Sequence, residues 1–192
     1  MGQPEKNLSR KFTYKDYLNW SDEERWEIIN GIPYNLTPAP STQHQQIITR
    51  LIALFYNALK DSPCQVFGAP FDVRLPEQDS EDIFTVVQPD LAIICDRNKL
   101  DSRGCFGSPD LIIEVTSPST LRRDIKDKFH LYEKAGVGQY WIIYPDQKTI
   151  VVFSLNEEGK YGRPDVYCET DTILAKTNKP VSIDLAEIFN VP

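Results

Sequence analysis

A strand–helix–strand pattern between residues 111 and 144 constrains the fold of this chain more than any other segment. Leu111–Thr116 and Gln139–Tyr144 are short apolar runs of the kind that form buried strands. The residues between them predict a helix that opens at Ser117–Thr120 and ends at Gly136. The expected buried face of this helix consists of Leu121, Ile125, Phe129 and Tyr132. The whole step is predicted to be a right-handed crossover within one sheet.

The remaining patterns add strands and helices around this crossover. Residues 41–60 have apolar side chains at i, i+3, i+4 and i+7 spacing, with Ser41 or Thr42 as a cap, and predict the longest helix. Further strands are predicted at 26–32 with a turn at Asn30-Gly31, at 66–75, at 86–95 and at 149–155, and short helices at 14–20, after Ser21 and at 183–189. The expected fold class is therefore α/β (α+β), a mixed β-sheet flanked by helices.

The length and composition predict a single globular domain. A chain of 192 residues suits one core, with residues 1–12 as a loose polar segment and residues 13–192 as the domain. No apolar run reaches the roughly 18–20 residues needed to span a bilayer, and the N-terminus lacks the apolar centre of a signal peptide. We therefore expect a cytoplasmic protein with no membrane partner.

The cysteines and histidines argue against a zinc site. Cys64, Cys95, Cys105 and Cys168 form no CxxC pair, and the chain has only two histidines. The expected state of all four cysteines in a reducing compartment is the free thiol.

One acid lies inside a predicted strand, where burial disfavours charge. Glu114 follows Ile112-Ile113, and a buried carboxylate requires a cation, a basic side chain or a raised pKa. Asp90 enters a second apolar strand directly after Pro89. If the strands are neighbours, Asp90, Glu114 and the backbone carbonyl of Val115 could hold Mg²⁺ or Mn²⁺. Asp90 could equally be a turn residue, and Glu114 could be half of a structural salt bridge.

Two further charged residues are candidates to act with this pair. Lys128 lies on the helix that follows the Glu114 strand and can lean over the strand ends, or it can be an exposed partner of Asp124, four residues earlier. Glu27 enters the first strand, where it could be a metal ligand, orient a water molecule or simply face solvent. A carboxylate pair alone would also suit a glycosidase, but the lysine and the strand positions favour phosphate chemistry.

Candidate substrate contacts are His44, Arg122 and Arg123. His44 lies in the first turn of the long helix, and the two arginines lie in the later one; a cap residue and a solvated helix face are the respective alternatives. A net charge of −7 and a pI near 4.9 count against a large non-specific nucleic-acid surface. Residues 120–134, however, carry five basic side chains against three acidic ones.

Pro89-Asp90 followed by Glu114-Val115-Thr116 resembles the core motif of the PD-(D/E)XK nuclease superfamily. Over about residues 12–190 the chain further resembles the Uma-type family of putative restriction endonucleases. That likeness rests on Trp26–Gly31, His44-Gln45, Gln88–Asp90, Pro109–Val115, Ser117–Thr120, Asp124, Lys128, Tyr132, Gly136-Val137 and Gln139–Ile142. Thr116 stands where the superfamily motif has its lysine, and Lys128 matches the position to which this family moves it.

The resemblance implies a restriction-endonuclease-like fold and Mg²⁺- or Mn²⁺-dependent hydrolysis of phosphodiester bonds in DNA. It implies that Asp90 and Glu114 hold the metal ion, that Lys128 positions water or stabilises the transition state, and that Glu27 completes the metal shell. Related nucleases are often homodimers, because a two-fold pair can cut both strands of a duplex. The alternative hypothesis is a catalytically silent nuclease-fold protein that binds nucleic acid or a protein partner.

Overall fold

The computed structural model describes residues 10–20, 24–36, 39–77 and 80–190. Most of the loose segment expected at 1–12, and the helix start expected at Ser21, lie outside these ranges. The described helices are α1 Tyr14–Tyr17, α2 Thr42–Leu59, α3 Phe129–Ala135 and α4 Ala186–Phe189. A π-helical turn, Arg123–Lys128, leads directly into α3.

The strands are short and follow one another closely along the chain. They are β1 Trp26–Ile29, β2 Ile32–Asn35, β3 Gln65–Gly68, β4 Val73–Arg74, β5 Val86–Val87, β6 Leu91–Ile94, β7 Leu100–Asp101, β8 Gly104–Phe106, β9 Leu111–Val115, β10 Gln139–Tyr144, β11 Thr149–Ser154, β12 Asp165–Cys168, β13 Thr172–Ala175 and β14 Val181–Asp184. None of the helices formed by the described residues is both long enough and apolar enough to cross a membrane.

The described strands form two six-stranded mixed sheets and one hairpin. The central sheet has the order β12-β11-β10-β9-β6-β3, and the second sheet has the order β2-β1-β5-β4-β8-β7. The predicted crossover is present, because β9 and β10 are parallel neighbours on either side of the helix. The predicted α+β class is thus confirmed, whereas the expected single sheet is two sheets, with β13 and β14 paired separately.

The predicted strands at 66–75 and 86–95 are each divided between the two sheets. The first becomes β3 in the central sheet and β4 in the second, and the other becomes β5 in the second sheet and β6 in the central one. Each break contains a proline, Pro70 or Pro89, which has no N–H to donate to a ladder. Asp90 therefore lies where the chain passes from one sheet to the other.

The helix after β9 buries a different face from the one that the sequence predicts. Ile125 is 47% exposed, whereas the charged residues Asp124 and Lys128 are buried. The reason is the π-helical turn, whose wider i to i+5 spacing breaks the 3.6-residue period on which the prediction rests. The turn directs Lys128 into the interior. The helix expected at 183–189 is also shorter, since its first residues belong to β14.

Two apolar layers cover the opposite faces of the central sheet. One layer joins α2 to residues such as Ile113, and the other joins α3 to residues such as Ile112. Successive strand residues face opposite sides, so Glu114 lies on the Ile112 side, beneath Tyr132 of α3. This alternation places the one acid of β9 under the helix that carries Lys128.

Cys64 and Cys95 form a disulfide, so the expectation of free thiols is wrong for this pair. The residues are 31 positions apart and flank the antiparallel pairing of β3 with β6, in which Gln65 lies opposite Ile94. Only that register brings them together, which is why spacing along the sequence gave no signal. Cys105 and Cys168 are free, as expected.

Replacing both bridged cysteines by serine is expected to lower the free energy of unfolding by about 2–4 kcal/mol, because the bridge restricts the unfolded chain. Urea unfolding measures the change, and Cys168→Ser, at an exposed free cysteine, is the control with an expected change near zero. Alkylation in denaturant should count two thiols without reductant and four with it. Four thiols in both samples would contradict the bridge.

Candidate active site

The acids singled out in the sequence meet in a cleft of about 450 Å³. The cleft lies where β1, β6, β9 and the π-helical turn approach one another, and Asp90, Glu114, Glu27 and Lys128 all line it. In the antiparallel pairing of β6 with β9, Leu91 lies opposite Ile113. Asp90 directly precedes β6 and therefore lies at the end of the strand next to the one that carries Glu114, and both residues line the cleft.

Asp90 is held from two sides. Its Oδ2 atom accepts a hydrogen bond from the backbone N–H of Val115 at 2.8 Å and lies 3.0 Å from Nε2 of His44. Ser41 caps α2 by accepting from the backbone N–H of His44, which fixes the first turn that carries this imidazole. His44 thus contacts a predicted metal ligand directly, and its Nδ1 atom is buried without a partner among the described residues.

Lys128 joins the other two acids. Its ammonium Nζ donates to Oε1 of Glu114 at 2.7 Å and to Oε1 of Glu27 at 2.9 Å. These three side chains are almost completely buried, with Lys128 3%, Glu27 0% and Glu114 4% exposed. Two neutral donors reinforce the cluster: the Tyr132 hydroxyl donates to Glu114 at 2.9 Å, and the Gln88 backbone N–H donates to Glu27 at 2.9 Å.

The cluster contains more acidic side chains than basic ones. Burial raises the pKa of Glu114 to about 8 against the opposing effect of Lys128, and Asp90, Asp124 and Glu27 raise it further. Burial also raises the pKa of Asp124. Burial alone would lower the pKa of Lys128, but the surrounding carboxylates outweigh it and raise that pKa, so the lysine stays charged. One ammonium therefore faces several acids that a further cation or a proton would stabilise.

The donor set fits a sparsely ligated divalent cation rather than a protein cage. Among the described residues, no group of three or more His, Cys, Asp or Glu side chains is arranged to hold a metal ion. Mg²⁺ requires fewer protein ligands, because it is commonly bound by one or two carboxylates together with water and substrate phosphate. Asp90 and Glu114 match that pattern, and the buried Oε2 atom of Glu27 has no partner among the described residues. Val115 contacts Asp90 through its N–H.

The predicted substrate contacts differ in position. Arg123 lines the cleft, with its guanidinium 5.4 Å from the ring of Tyr34. Arg122 is exposed and is not among the residues that line the cleft. Thr116, at the usual lysine position of the superfamily motif, donates its hydroxyl to the carbonyl of Ile143 at 2.9 Å, and Lys128 reaches Glu114 instead. The roles of all these residues stay predictions.

Sequence reasoning did not predict the contacts that three residues make in the cluster. Tyr132 was expected as a buried apolar residue and as part of the family likeness, but not as a donor to Glu114. Gln88 binds Glu27 through its backbone, and Arg25 donates from Nε to the Gln88 side chain at 3.0 Å. Arg25 precedes Glu27 by two positions, so the two-residue period of an extended chain could have indicated that both face the same side.

Three comparisons relate this chain to known proteins. The sequence model of a family described as "Uma2: Putative restriction endonuclease" matches residues 14–185. The "Uncharacterized protein slr1290" of Synechocystis sp. is 27% identical over 154 residues, which cover 79% of this chain and 78% of that protein. The fold is similar to the crystal structure of "a putative nuclease belonging to DUF820" from Anabaena variabilis. The TM-score is 0.73 at 18% identity, and the match covers 93% of this chain and 97% of that chain.

Proposed function

This chain belongs to the Uma2 family of putative restriction endonucleases, and we propose that it is a nuclease that hydrolyses DNA phosphodiester bonds with Mg²⁺ or Mn²⁺. The observation that carries the proposal is the buried bridge from Lys128 to Glu114 and Glu27 in an open cleft beside Asp90. A lysine among carboxylates in an open cleft suits phosphoryl chemistry, because it combines metal ligands with a donor for phosphate oxygens.

In this proposal Asp90 and Glu114 hold the metal ion, with the carbonyl of Val115 as a further oxygen and Glu27 near enough to orient water. When bound, the cation supplies positive charge to the phosphate and makes a nearby water more acidic. The protein keeps the ligands in place through the Val115 N–H and His44 on Asp90, and through Tyr132 on Glu114.

Lys128 supplies the second positive charge of the proposed site. A lysine ammonium has three N–H donors, and in the part of the chain described here Nζ uses two of them, on Glu27 and Glu114. The third is available for a phosphate oxygen or a water in the cleft. Arg123 at the cleft wall is the proposed second phosphate contact, and the exposed Arg122 could reach only the more distant backbone of a bound strand.

Calorimetric titration with Mg²⁺ and Mn²⁺, followed by incubation with single-stranded DNA and supercoiled plasmid, tests the proposal. We expect metal uptake and metal-dependent products that EDTA abolishes. The proposed homodimer should give linear plasmid early, because two sites can cut both strands in one encounter; relaxed circles as the first product would contradict it. No metal uptake at millimolar concentrations would contradict the metal site itself.

A catalytically silent nuclease-fold protein is the second candidate, because Lys128 already compensates two of the buried acids. That protein would bind DNA equally well with and without metal and would release no product. The cytoplasmic location is also a proposal. Disulfides are rare in reducing compartments, so the bridge between Cys64 and Cys95 counts against this location. Alkylation in intact cells tests it: free thiols at both cysteines would support the cytoplasm, and a bridge would contradict it.

A further inference from the structure

A second cavity, of about 530 Å³, adjoins the cleft that Asp90, Glu114 and Lys128 line, which we call the catalytic cleft, and five of the thirteen residues that line this second cavity are aromatic. Three of them contact one another edge to face: the ring centres of Tyr17 and Trp20 are 5.6 Å apart, and those of Trp20 and Trp26 are 5.7 Å apart. Phe71 lines the same cavity. We call it the aromatic pocket. Its volume lies in the range of roughly 300–1,000 Å³ that is typical of small-ligand sites.

The aromatic pocket and the catalytic cleft share two residues. Arg25 and Gln88 line both cavities, and Arg25 donates from Nε to the Gln88 side chain at 3.0 Å. The chain order Arg25-Trp26-Glu27 passes from the shared wall through the aromatic pocket to the acid bound by Lys128. A ligand that extends from the cleft past Arg25 therefore enters the aromatic pocket next.

The polar groups of the aromatic pocket are fixed in place. Oδ1 of Asp72 accepts from the Gln88 side-chain amide at 2.9 Å and from the Tyr17 hydroxyl at 3.1 Å. Burial and the neighbouring Asp72 raise the pKa of Tyr17, so its hydroxyl keeps its proton and remains a donor. The second carboxylate oxygen of Asp72 has no hydrogen bond to any described residue, and it could accept one from an amino group.

We propose that the aromatic pocket binds an unpaired nucleobase of the strand whose phosphate lies in the catalytic cleft. The inference rests on the proposed function. Arg25 lines both cavities, and its terminal guanidinium N–H groups, which donate to no described residue, can hold the connecting phosphate while the base stacks on Trp20 or Trp26. In a chain with a net charge of −7, little affinity can come from a broad basic surface, and stacking on aromatic rings is the alternative source. The preferred substrate is therefore single-stranded or locally unpaired DNA.

Binding of DNA to the protein is measured without metal, in EDTA, so that no DNA is hydrolysed during the measurement. A short single-stranded oligonucleotide should quench tryptophan fluorescence, because two of the three tryptophans line the aromatic pocket and Trp141 is fully buried. Trp20→Leu should weaken this binding roughly ten-fold, as expected for the loss of one base–aromatic stack, and should change duplex binding less than two-fold. Tyr56→Leu, at a 63% exposed ring elsewhere, is the matched control and should change neither.

A second experiment uses the unaltered protein, so it tests the nucleobase site even if Trp20→Leu folds poorly. An abasic site moved along the oligonucleotide should weaken binding at one position and have little effect at the others. Equal affinity at every position, or full single-strand affinity in a folded Trp20→Leu protein, would overturn the nucleobase site and leave a protein side chain as the candidate occupant. If both arms succeed while Mg²⁺ gives no product, the nucleobase site stands and the proposed nuclease activity falls.

Discussion

Glu114→Gln is expected to abolish metal-dependent cleavage while leaving the fold intact. The amide replaces an anionic metal ligand with a neutral one, so both metal uptake and hydrolysis should fall, the latter by at least roughly 100-fold. The amide oxygen can still accept from Lys128 and Tyr132, which now bind Oε1 of Glu114. Because burial already disfavours the charge at Glu114 and raises its pKa, removing that charge should not destabilise the protein.

The measurements are calorimetric Mg²⁺ or Mn²⁺ titration, plasmid cleavage and urea unfolding on the same preparations. Glu157→Gln makes the same chemical change at an exposed position and should behave as the unaltered protein does in all three. Cleavage that persists in Glu114→Gln at the original rate would contradict the assigned metal site. Cleavage lost together with the cooperative unfolding transition would instead show that the variant had failed to fold, and Asp90→Asn would then repeat the test.

Local sequence patterns correctly predicted those helices and strands whose apolar residues recur at one constant spacing. In α2 the residues at the predicted apolar spacing are buried or half-buried, and Ser41 caps the helix as predicted. The hairpin between β1 and β2 turns at Asn30 and Gly31, both of which have positive φ. The parallel pairing of β9 with β10 followed from the helix between them. These features depend on residues near one another in the chain, where steric and hydrogen-bonding preferences act directly.

The features that the sequence did not predict depend on tertiary contacts. Pro70 and Pro89 interrupt residues 66–75 and 86–95, but nothing in either segment indicates that its two halves join different sheets. The π-helical turn brings Lys128 into contact with Glu114 of the preceding strand and with Glu27 of the distant strand β1, while Ile125 is left exposed. These two ion pairs stabilise the turn. The Cys64–Cys95 bridge likewise exists only once β3 and β6 pair.

The sequence predicted that the charged candidate residues would lie together, although their roles stay predictions. A charged residue in an apolar strand has few ways to be stabilised, so Glu114 indicated a cluster of charged side chains. Asp90 and Lys128 both line the same cleft as Glu114. The partners that fix the geometry were missed, since a backbone N–H such as that of Gln88 or Val115 has no signature in the sequence. The aromatic pocket was missed for a related reason: α1, β1 and the chain around Phe71 supply its wall from separate segments.

Lys128→Met is expected to destabilise the protein by about 3–5 kcal/mol at alkaline pH, where it leaves Glu27 and Glu114 buried as carboxylates without their cation. The loss should depend on pH in a definite direction. Burial holds the pKa of Glu114 above that of the unfolded chain, and this effect grows once the lysine is gone. A carboxyl whose pKa is raised on folding favours the folded state at low pH, and that contribution is lost as the pH rises from the unfolded pKa through the folded one. The loss of stability in the variant should therefore be smaller at acidic and neutral pH and should grow as the pH rises above about 8.

A double variant separates the structural role of this lysine from its proposed chemical role. Adding Glu114→Gln to Lys128→Met removes one uncompensated charge and should restore part of the lost stability, as a double-mutant cycle in urea would show. Cleavage should remain absent, because neither the metal ligand nor the phosphate donor is present. Lys126→Met, at an exposed position of the same π-helical turn, is the control and should change stability little. If Lys128→Met were as stable as the unaltered protein, the ion pairs would contribute nothing to the fold, and if it also cut DNA normally, Lys128 would not be the displaced lysine of the nuclease motif.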